Sequence, residues 1–585
     1  MAVILVLTVA GSAWLVFKVS VVRSELQSAT RLIAKLESEI ANDDSTAAAS
    51  TVDSLIQHTG KARDAANDPV WKAAGVLPWI GPNLDAASEV ATSADDVARL
   101  AAAPLVKIFR SLDWKALTPG YSGMDLAPLK ASAPKVESAA YAVRESVERL
   151  HEIDTIHLIP EIAGPLEDAR SRLAEVRDDL NVAADSAKIA PAMLGSESPR
   201  RYLLLMQNNA EARATGGIPG AVAVLRVDQG RLSLESQTSA TALGAFVPPL
   251  PVDSEQQTIY SARLGKFMQD VNLTPDFATT ATTARLMWEK RTGEQVDGVL
   301  SLDPVSLSFL LKATGPVQIK DAAIQELGQA LPAQLTSQNV VKTLLSDVYK
   351  EIEDPDLQDA YFAGAAKEIF SALSSPSTDP KKLMDGVSKG VGERRILLWS
   401  SSLEEENTLS KYPLGGKISG PSQSPAQFGV FFNDGTGAKM DFWVKRSVQT
   451  VRDCTRDGYR EITIKVTSTN TAPSDSAKSL PSYVTGGGHY GVPAGSVQTN
   501  VVAYGPVQAT VDTVLRDGGQ IPFAAQRHSQ RPVGTSTIRL GPGESTTLEF
   551  NFGHIVQNAE AEVVVTPTTQ AVKDVLLAPR LEPCE

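Results

Sequence analysis

The stretch "QNNAEARATGGIPGA", Gln207 to Ala221, lies between two apolar runs, "RYLLLM" and "VAVLRV". It sets two amides (Asn208, Asn209), an acid (Glu211) and a permanently charged planar cation (Arg213) beside glycines that let backbone approach closely (Gly216, Gly217). Such a set suits an anionic or polyhydroxyl ligand. It suits equally a self-satisfied network of buried polar groups holding a long loop, and residue types alone leave both open. A second cluster, "KFMQDVNLTPDF", supplies Asp270, Asn272, Thr274 and Asp276 ahead of a helix bearing Arg285. It reads either as a sheet-edge loop rich in hydrogen-bonding groups or as turn and cap chemistry. A third, "EIEDPDLQD", offers Glu351, Glu353, Asp354, Asp356 and Asp359 as oxygen ligands for a divalent cation. It lacks the glycine and final glutamate of a calcium loop, and Asp354 or Asp356 capping a helix that begins near Leu357 is the simpler explanation.

Familiar catalytic signatures are missing. The chain has no GxxxxGK[ST] phosphate loop, no GxGxxG after the first strand, and no HExxH, GxSxG or CxxC. Its SxxK, Ser132 to Lys135, crosses a proline and lacks partner motifs, so it reads as chance. His151 and His157 lack metal-ligand spacing and read as surface or packing residues.

The elements that must position these residues change character along the chain. Residues 1–23 open with "MAVILVLTVAGSAWLVF", uncharged up to Lys18, and read as a transmembrane anchor near the lower length limit, with Trp14 at one interface. No basic n-region precedes it, which argues against a signal peptide and suggests a start farther upstream. Residues 24–195 are alanine-rich and helical in spacing, broken at "VLPWIGPNLDAAS", "LTPGYSGMDLAP" and "LIPEIAGP", with Asn83 or Asp85 and Asp125 as caps: a helical stalk or bundle. Its first helix places Leu26, Ile33 and Ile40 seven apart, with Ala29 and Leu36 between, a pattern that packs on its own domain or forms a weak homodimer stalk. From 196 to 424, strands such as "RYLLLMQ", "VDGVLSLDP" and "RRILLWS" alternate with helices, predicting an α/β domain whose sheet is mixed because "VDQGRL" signals a hairpin. From 425 to 585, alternating β-branched runs divided by turn residues predict an antiparallel β-sandwich, with "SYVTGGGHYGVPAGS" as a glycine-rich loop. The fold class is thus α+β and multidomain.

A formal charge of −13 excludes the basic surface that nonspecific nucleic-acid binding needs, and no polybasic block favours docking to anionic lipid. The two cysteines, Cys454 and Cys584, fit one late disulfide or two unrelated thiols.

"YLLLMQNNAEARATGGIPGA", "DVNLTPDF", "VDGVLSLDPVSLSFLLKATGPV", "RRILLWS" and "GAKMDFWVKRSV", in that order, resemble the bacterial family known as domain of unknown function 4012, over roughly residues 75 to 570. The resemblance implies one N-terminal membrane anchor, an extracytoplasmic body and occurrence in actinobacteria and other envelope-building bacteria. It outweighs Lys18 and Arg23, which by the positive-inside rule favour a cytoplasmic body. "VDGVLSLDPVSLSFLLKATGPVQI" is also distantly similar to LytR-CpsA-Psr transferases of lipid-linked glycopolymers, although their RxDT and PRD motifs are absent. The expectation is therefore a cell-membrane-anchored extracytoplasmic envelope protein that binds or processes a glycopolymer or lipid-linked glycan. The alternative is a structural scaffold or protein-interaction module. In an enzymatic version, Arg213 and Arg285 neutralise phosphate oxygens, while Asp270 or Glu211 holds a divalent cation or acts as general base. In a binding version the same groups, with Asn208, Asn209, Gly216, Gly217, Asn272 and Asp276, grip sugar hydroxyls or phosphate without turnover.

Overall fold

The computed structural model describes residues 2–111, 123–327, 329–418, 426–558 and 560–584. It divides into two compact units, residues 1–117 with 125–196, and residues 118–124 with 197–585.

The first unit is helical: α1 (Ala2–Ala41), α2 (Ser45–Ala66), α3 (Pro69–Gly75), α4 (Gly81–Asp96), which passes through a π turn into α5 (Ala103–Ser111), then α6 (Ala127–His151) and α7 (Pro160–Met193). Aspartates start several of them. Asp44 accepts from the N–H of Ala47, Asp68 from Val70 and Asp125 from Ala127. Asn83 is not a cap; its amide oxygen accepts from the N–H of Ile159 at 2.8 Å and ties two loops together. The seven-residue row that α1 buries is Val22, Ala29 and Leu36, whereas Ile33 and Ile40 stay about 40 % exposed. Leu36 meets Ala48, Val52 and Val106, and Ala29 meets Leu55 and Ala98, so this helix packs on its own unit.

The expected membrane anchor over residues 1–23 is corrected by the structure. Among the described residues no helix is long and apolar enough to cross a membrane. The uncharged run ends at Phe17. From there α1 continues through Lys18, Arg23 and Glu25 as part of the helical unit. Lys18 pairs with Asp68 at 3.1 Å, the Trp14 indole donates to the same carboxylate, and Val22 packs with Ala62, Ala65 and Trp71.

The second unit holds a central five-stranded sheet in the order β3-β2-β1-β4-β7: β1 (Arg200–Arg213), β2 (Gly216–Asp228), β3 (Arg231–Ser239), β4 (Gly298–Leu302) and β7 (Leu397–Ser400). A separate two-strand ribbon comprises β5 (Val317–Gln318) and β6 (Gln334–Leu335). The central sheet is mixed, because β1 runs parallel to β4 while β2, β3 and β7 pair antiparallel. Leu203, Leu205, Val222 and Val224 pack one face against Phe277, Ala281, Ala284, Met287 and Trp288 of the helix Phe277–Thr292. The hairpin expected at "VDQGRL" turns at Gln229 and Gly230, both at positive φ (+49° and +70°).

Two further sheets face each other: β13 (Gly519–Ile521), β12 (Thr510–Arg516), β16 (Ser545–Ile555), β10 (Tyr459–Asn470) and β9 (Val444–Arg456) in one, β14 (Ala524–His528), β15 (Arg531–Leu540), β11 (Val497–Tyr504), β8 (Ala426–Asp434) and β17 (Ala561–Val565) in the other. Phe428, Val430, Phe432, Val501 and Ile538 of one sheet meet Ile462, Ile464, Val466, Phe550 and Phe552 of the other in a single core. The sandwich departs from pure antiparallel pairing at β17, which lies parallel to β8. The tail follows β9 through Leu577, Arg580 and Glu582, and Cys584 closes a disulfide with Cys454.

Strand β1 is longer than its sheet. Register shifts after Met206 and Asn208 release its end from regular pairing with β2, so Gln207–Arg213 extends toward the sandwich. There Asp441 accepts from the N–H of Ala212 at 2.9 Å, and Asn433 from that of Ala214 at 3.0 Å. Ala212 belongs to the sandwich core itself.

Candidate functional site

Where the β1–β2 hairpin meets the sandwich, a cleft of about 1140 Å³ opens. One wall comes from Met206–Arg213 and Ile218–Ala221, a second from the helix Pro355–Leu373, and a third from the turn Asp434–Lys439 with the loop 482–490. Four of the residues expected from the first two polar clusters line it, Asn208, Glu211, Arg213 and Asp270, and Asp356 and Asp359 of "EIEDPDLQD" line it as well.

None of these four is idle. Arg213, 4 % exposed, lies 3.4 Å from Asp270, whose other oxygen accepts from Arg263 Nε at 2.8 Å. Glu211 forms an ion pair with Lys439, and Asn208 donates to the Tyr349 hydroxyl. The Lys439 ammonium also sits 5.3 Å over the Tyr349 ring and 5.4 Å over that of Tyr483. Burial alone would lower its pKa, but Glu211, with Tyr349 and Tyr483, holds it above the usual lysine range. Burial drives the Tyr349 hydroxyl the same way, well above the usual tyrosine value. The carboxylate partner of the arginine is Asp270 and not Glu211.

The remaining expected residues hold the hairpin or lie elsewhere. Asn209 donates to Asp303 at 3.0 Å and to the Pro567 carbonyl at 3.3 Å, and Asp303 in turn pairs with Arg395 while capping the helix Pro304–Thr314. Gly216 has φ +139°, and a Cβ there would overlap the Gln207 amide; a Cβ on Gly217 would overlap the Asn208 carbonyl. These glycines serve close packing of the hairpin, as does Asn272, which donates to Thr215 and to the Gly217 carbonyl. Asp276 precedes the helix Phe277–Thr292 and accepts from Thr279 and from the N–H of Ile418, in keeping with turn chemistry. Arg285 stands outside the cleft, 5.5 Å over the Trp399 ring and 3.7 Å from Glu289. Among the described residues no group of three or more His, Cys, Asp or Glu is placed to hold a metal ion. Asp354 accepts from the N–H of Asp356 and of Leu357, so "EIEDPDLQD" carries the cap of a helix.

Three carboxylates of the cleft have no ion-pair partner among the described residues: Asp356, Asp359 and Asp434. Burial raises the Asp359 carboxyl despite a hydrogen bond from Ser239. Asp434 accepts from the N–H of Thr436 and of Gly437. Burial, and the nearby Asp441 and Glu211 charges, push it up to about 7 against the pull of Arg213. The rim bears Tyr483 and Tyr490, 46 % and 70 % exposed, the second folded over Gly437. Lys439, Tyr349, Asp434 and Tyr483 are not singled out by the sequence, and Asp356 and Asp359 enter there only as candidate cation ligands. "FFNDGTGAKM" and "SYVTGGGHYG" read only as turns, and their relation to "QNNAEAR" arises more than 200 residues away in the chain.

Two consequences can be measured. Lys439→Met leaves Glu211 buried without a counter-ion and is expected to cost about 3 kcal/mol in chemical denaturation, most of it recovered in Glu211→Leu/Lys439→Met. The folded-state pKa of Asp434 exceeds its unfolded value, so its contribution to stability is full below about pH 4 and is lost as pH rises toward 7. Asp434→Asn should therefore gain on the wild type by a few degrees of Tm between pH 4 and 7; a pH-independent difference would contradict the assignment.

No curated protein and no solved structure shows significant similarity to this chain. The distant likeness to LytR-CpsA-Psr transferases is therefore unsupported. Residues 197–349 match the family model described as "Protein of unknown function (DUF4012)", a narrower span than the 75 to 570 expected, but one that holds the whole β1–β2 hairpin and Tyr349. That segment is similar to the DUF4012 family, whose function is unknown.

Proposed function

We propose that the protein is an extracytoplasmic glycan-binding protein whose cleft takes a neutral or amine-bearing saccharide chain. The observation that carries this reading is the division of charge in the cleft. Each lysine or arginine lining it, Arg213, Arg263 and Lys439, is paired with a carboxylate of the chain, whereas Asp356, Asp359 and Asp434 have no cationic partner among the described residues. Carboxylates accept from sugar hydroxyls and from ammonium groups, and they repel phosphate and uronate. The exposed faces of Tyr483 and Tyr490 give apolar platforms for the C–H faces of sugar rings. A cleft that mixes such platforms with a few fixed polar groups is typical of a small-ligand site. The Cys454–Cys584 disulfide supports an oxidising, extracytoplasmic compartment, since cytosolic thiols are kept reduced.

Binding without turnover is favoured over transfer of a lipid-pyrophosphate group. That chemistry asks for cations facing the phosphate oxygens. Arg213 instead faces Asp270, and Arg285 lies outside the cleft.

Titration calorimetry of the full chain tests the reading with three probes of equal length: a neutral glucan oligosaccharide, a glucosamine oligosaccharide and an oligogalacturonate. The first two should bind, and the acidic one at least tenfold more weakly. Tyr483→Ala should weaken neutral binding by roughly fivefold to thirtyfold, the loss of one aromatic platform worth about 1–2 kcal/mol. Preferential binding of the oligogalacturonate, or an unaltered Kd in the Tyr483 variant, would refute it.

A further inference from the structure

The helical unit exposes an apolar tip that has no part in the cleft. The turn between α3 and α4, "AAGVLPWIGPNL", carries no charge from Ala73 to Leu84. It projects Val76 (82 % exposed), Trp79 (90 %), Leu77 and Ile80. The loop between α6 and α7 adds Ile156 (81 %) and Ile159. The two segments form one surface because the Asn83 amide oxygen holds the N–H of Ile159 at 2.8 Å.

This tip is built rather than loose. The N–H groups of Leu77 and Gly81 donate to the carbonyls of Ala74 and Leu77, Leu84 donates to Ile80, and the Trp71 indole donates to the Leu84 carbonyl. Pro78 and Pro82 have no N–H to satisfy. A Cβ on Gly81 would overlap the Gly75 carbonyl, so the turn closes tightly on itself. These bonds and the two prolines reduce the number of backbone groups that must be desolvated when the turn enters an apolar medium.

We infer that this tip is a lipid-docking surface, in which Trp79, Val76 and Ile156 enter the interfacial layer of a zwitterionic bilayer. Three observations favour lipid over a protein partner. Tryptophan beside aliphatic side chains is the composition that membrane interfaces select. The apolar surface continues in the same unit onto α1, where Val9, Val16 and Phe17 are exposed and Trp14 is bonded to Asp68 at the start of α3. Glu152 and Asp154 flank the second loop, in a chain of net charge −13, so the complementary surface is an uncharged headgroup layer rather than an anionic one. Such docking rests on a turn at the surface and requires no spanning helix.

Flotation of the full chain with phosphatidylcholine vesicles tests the proposal. Trp79→Ser/Ile156→Ser should lower the vesicle-bound fraction at least fivefold without changing Tm; an unchanged fraction overturns it. Because both native cysteines are in the disulfide, an Ile156→Cys variant takes an environment-sensitive fluorophore at one site. Its emission should shift to the blue on adding vesicles, and no shift overturns the proposal. Sedimentation without lipid covers the remaining occupant. A wild-type dimer that the double variant dissolves, with no vesicle-induced shift, would assign the tip to a second copy of the chain and overturn lipid docking.

Discussion

The second unit depends on how charge is buried where β1 leaves its sheet. Two carboxylates and three cations meet there, Asp270 with Arg213 and Arg263, and Glu211 with Lys439. A buried charge without a partner would cost several kcal/mol, so these groups can stay only if each partner is held in place. That requirement ties together segments far apart in sequence. Asp270 comes from the loop before the helix Phe277–Thr292, Lys439 from the turn after β8, and Arg213 and Glu211 from the end of β1. Asp441 and Asn433 complete the attachment by accepting from the backbone of Ala212 and Ala214. The α/β layer and the sandwich are thereby joined through one polar hairpin.

The cleft is a consequence of this frame. Pairing commits the cleft's cations to carboxylates of the chain, and the surface left to a ligand carries tyrosine rings and carboxylates without a cationic partner among the described residues. Lys439 shows the preference of the site in miniature, since the chain's own ammonium already rests between two tyrosine rings and a carboxylate. The lipid-docking tip is separate in the chain and in chemistry, and neither inference depends on the other.

Periodicity made much of the architecture readable. The alternation of "VAVLRVDQGRLSLES" with its Gln-Gly turn gave the β2–β3 hairpin, and the break at "LIPEIAGP" separated two helices that the structure places at Ala127–His151 and Pro160–Met193. The polar segment was visible as an anomaly between apolar runs, but two of its charged side chains bond to partners that local spacing cannot indicate: Glu211 to Lys439 and Arg213 to Asp270. Residue types therefore placed Arg285 and Arg213 together as phosphate binders, whereas one lies over Trp399 and the other is neutralised. The reading of residues 1–23 as an anchor failed for a related reason. Hydropathy counts apolar residues without showing that Val22 and the charge on Lys18 are already engaged by α2, α3 and Asp68.

The central claim is that the cleft's cations serve the protein rather than a ligand. Its most direct test is the coupling energy between Arg213 and Asp270, measured by chemical denaturation of Arg213→Met, Asp270→Leu and the double variant. A buried, mutually compensating pair predicts that the double variant is more stable than the sum of the single losses by at least about 2 kcal/mol. A coupling near zero would mean that the two charges do not rely on each other, and would contradict the account.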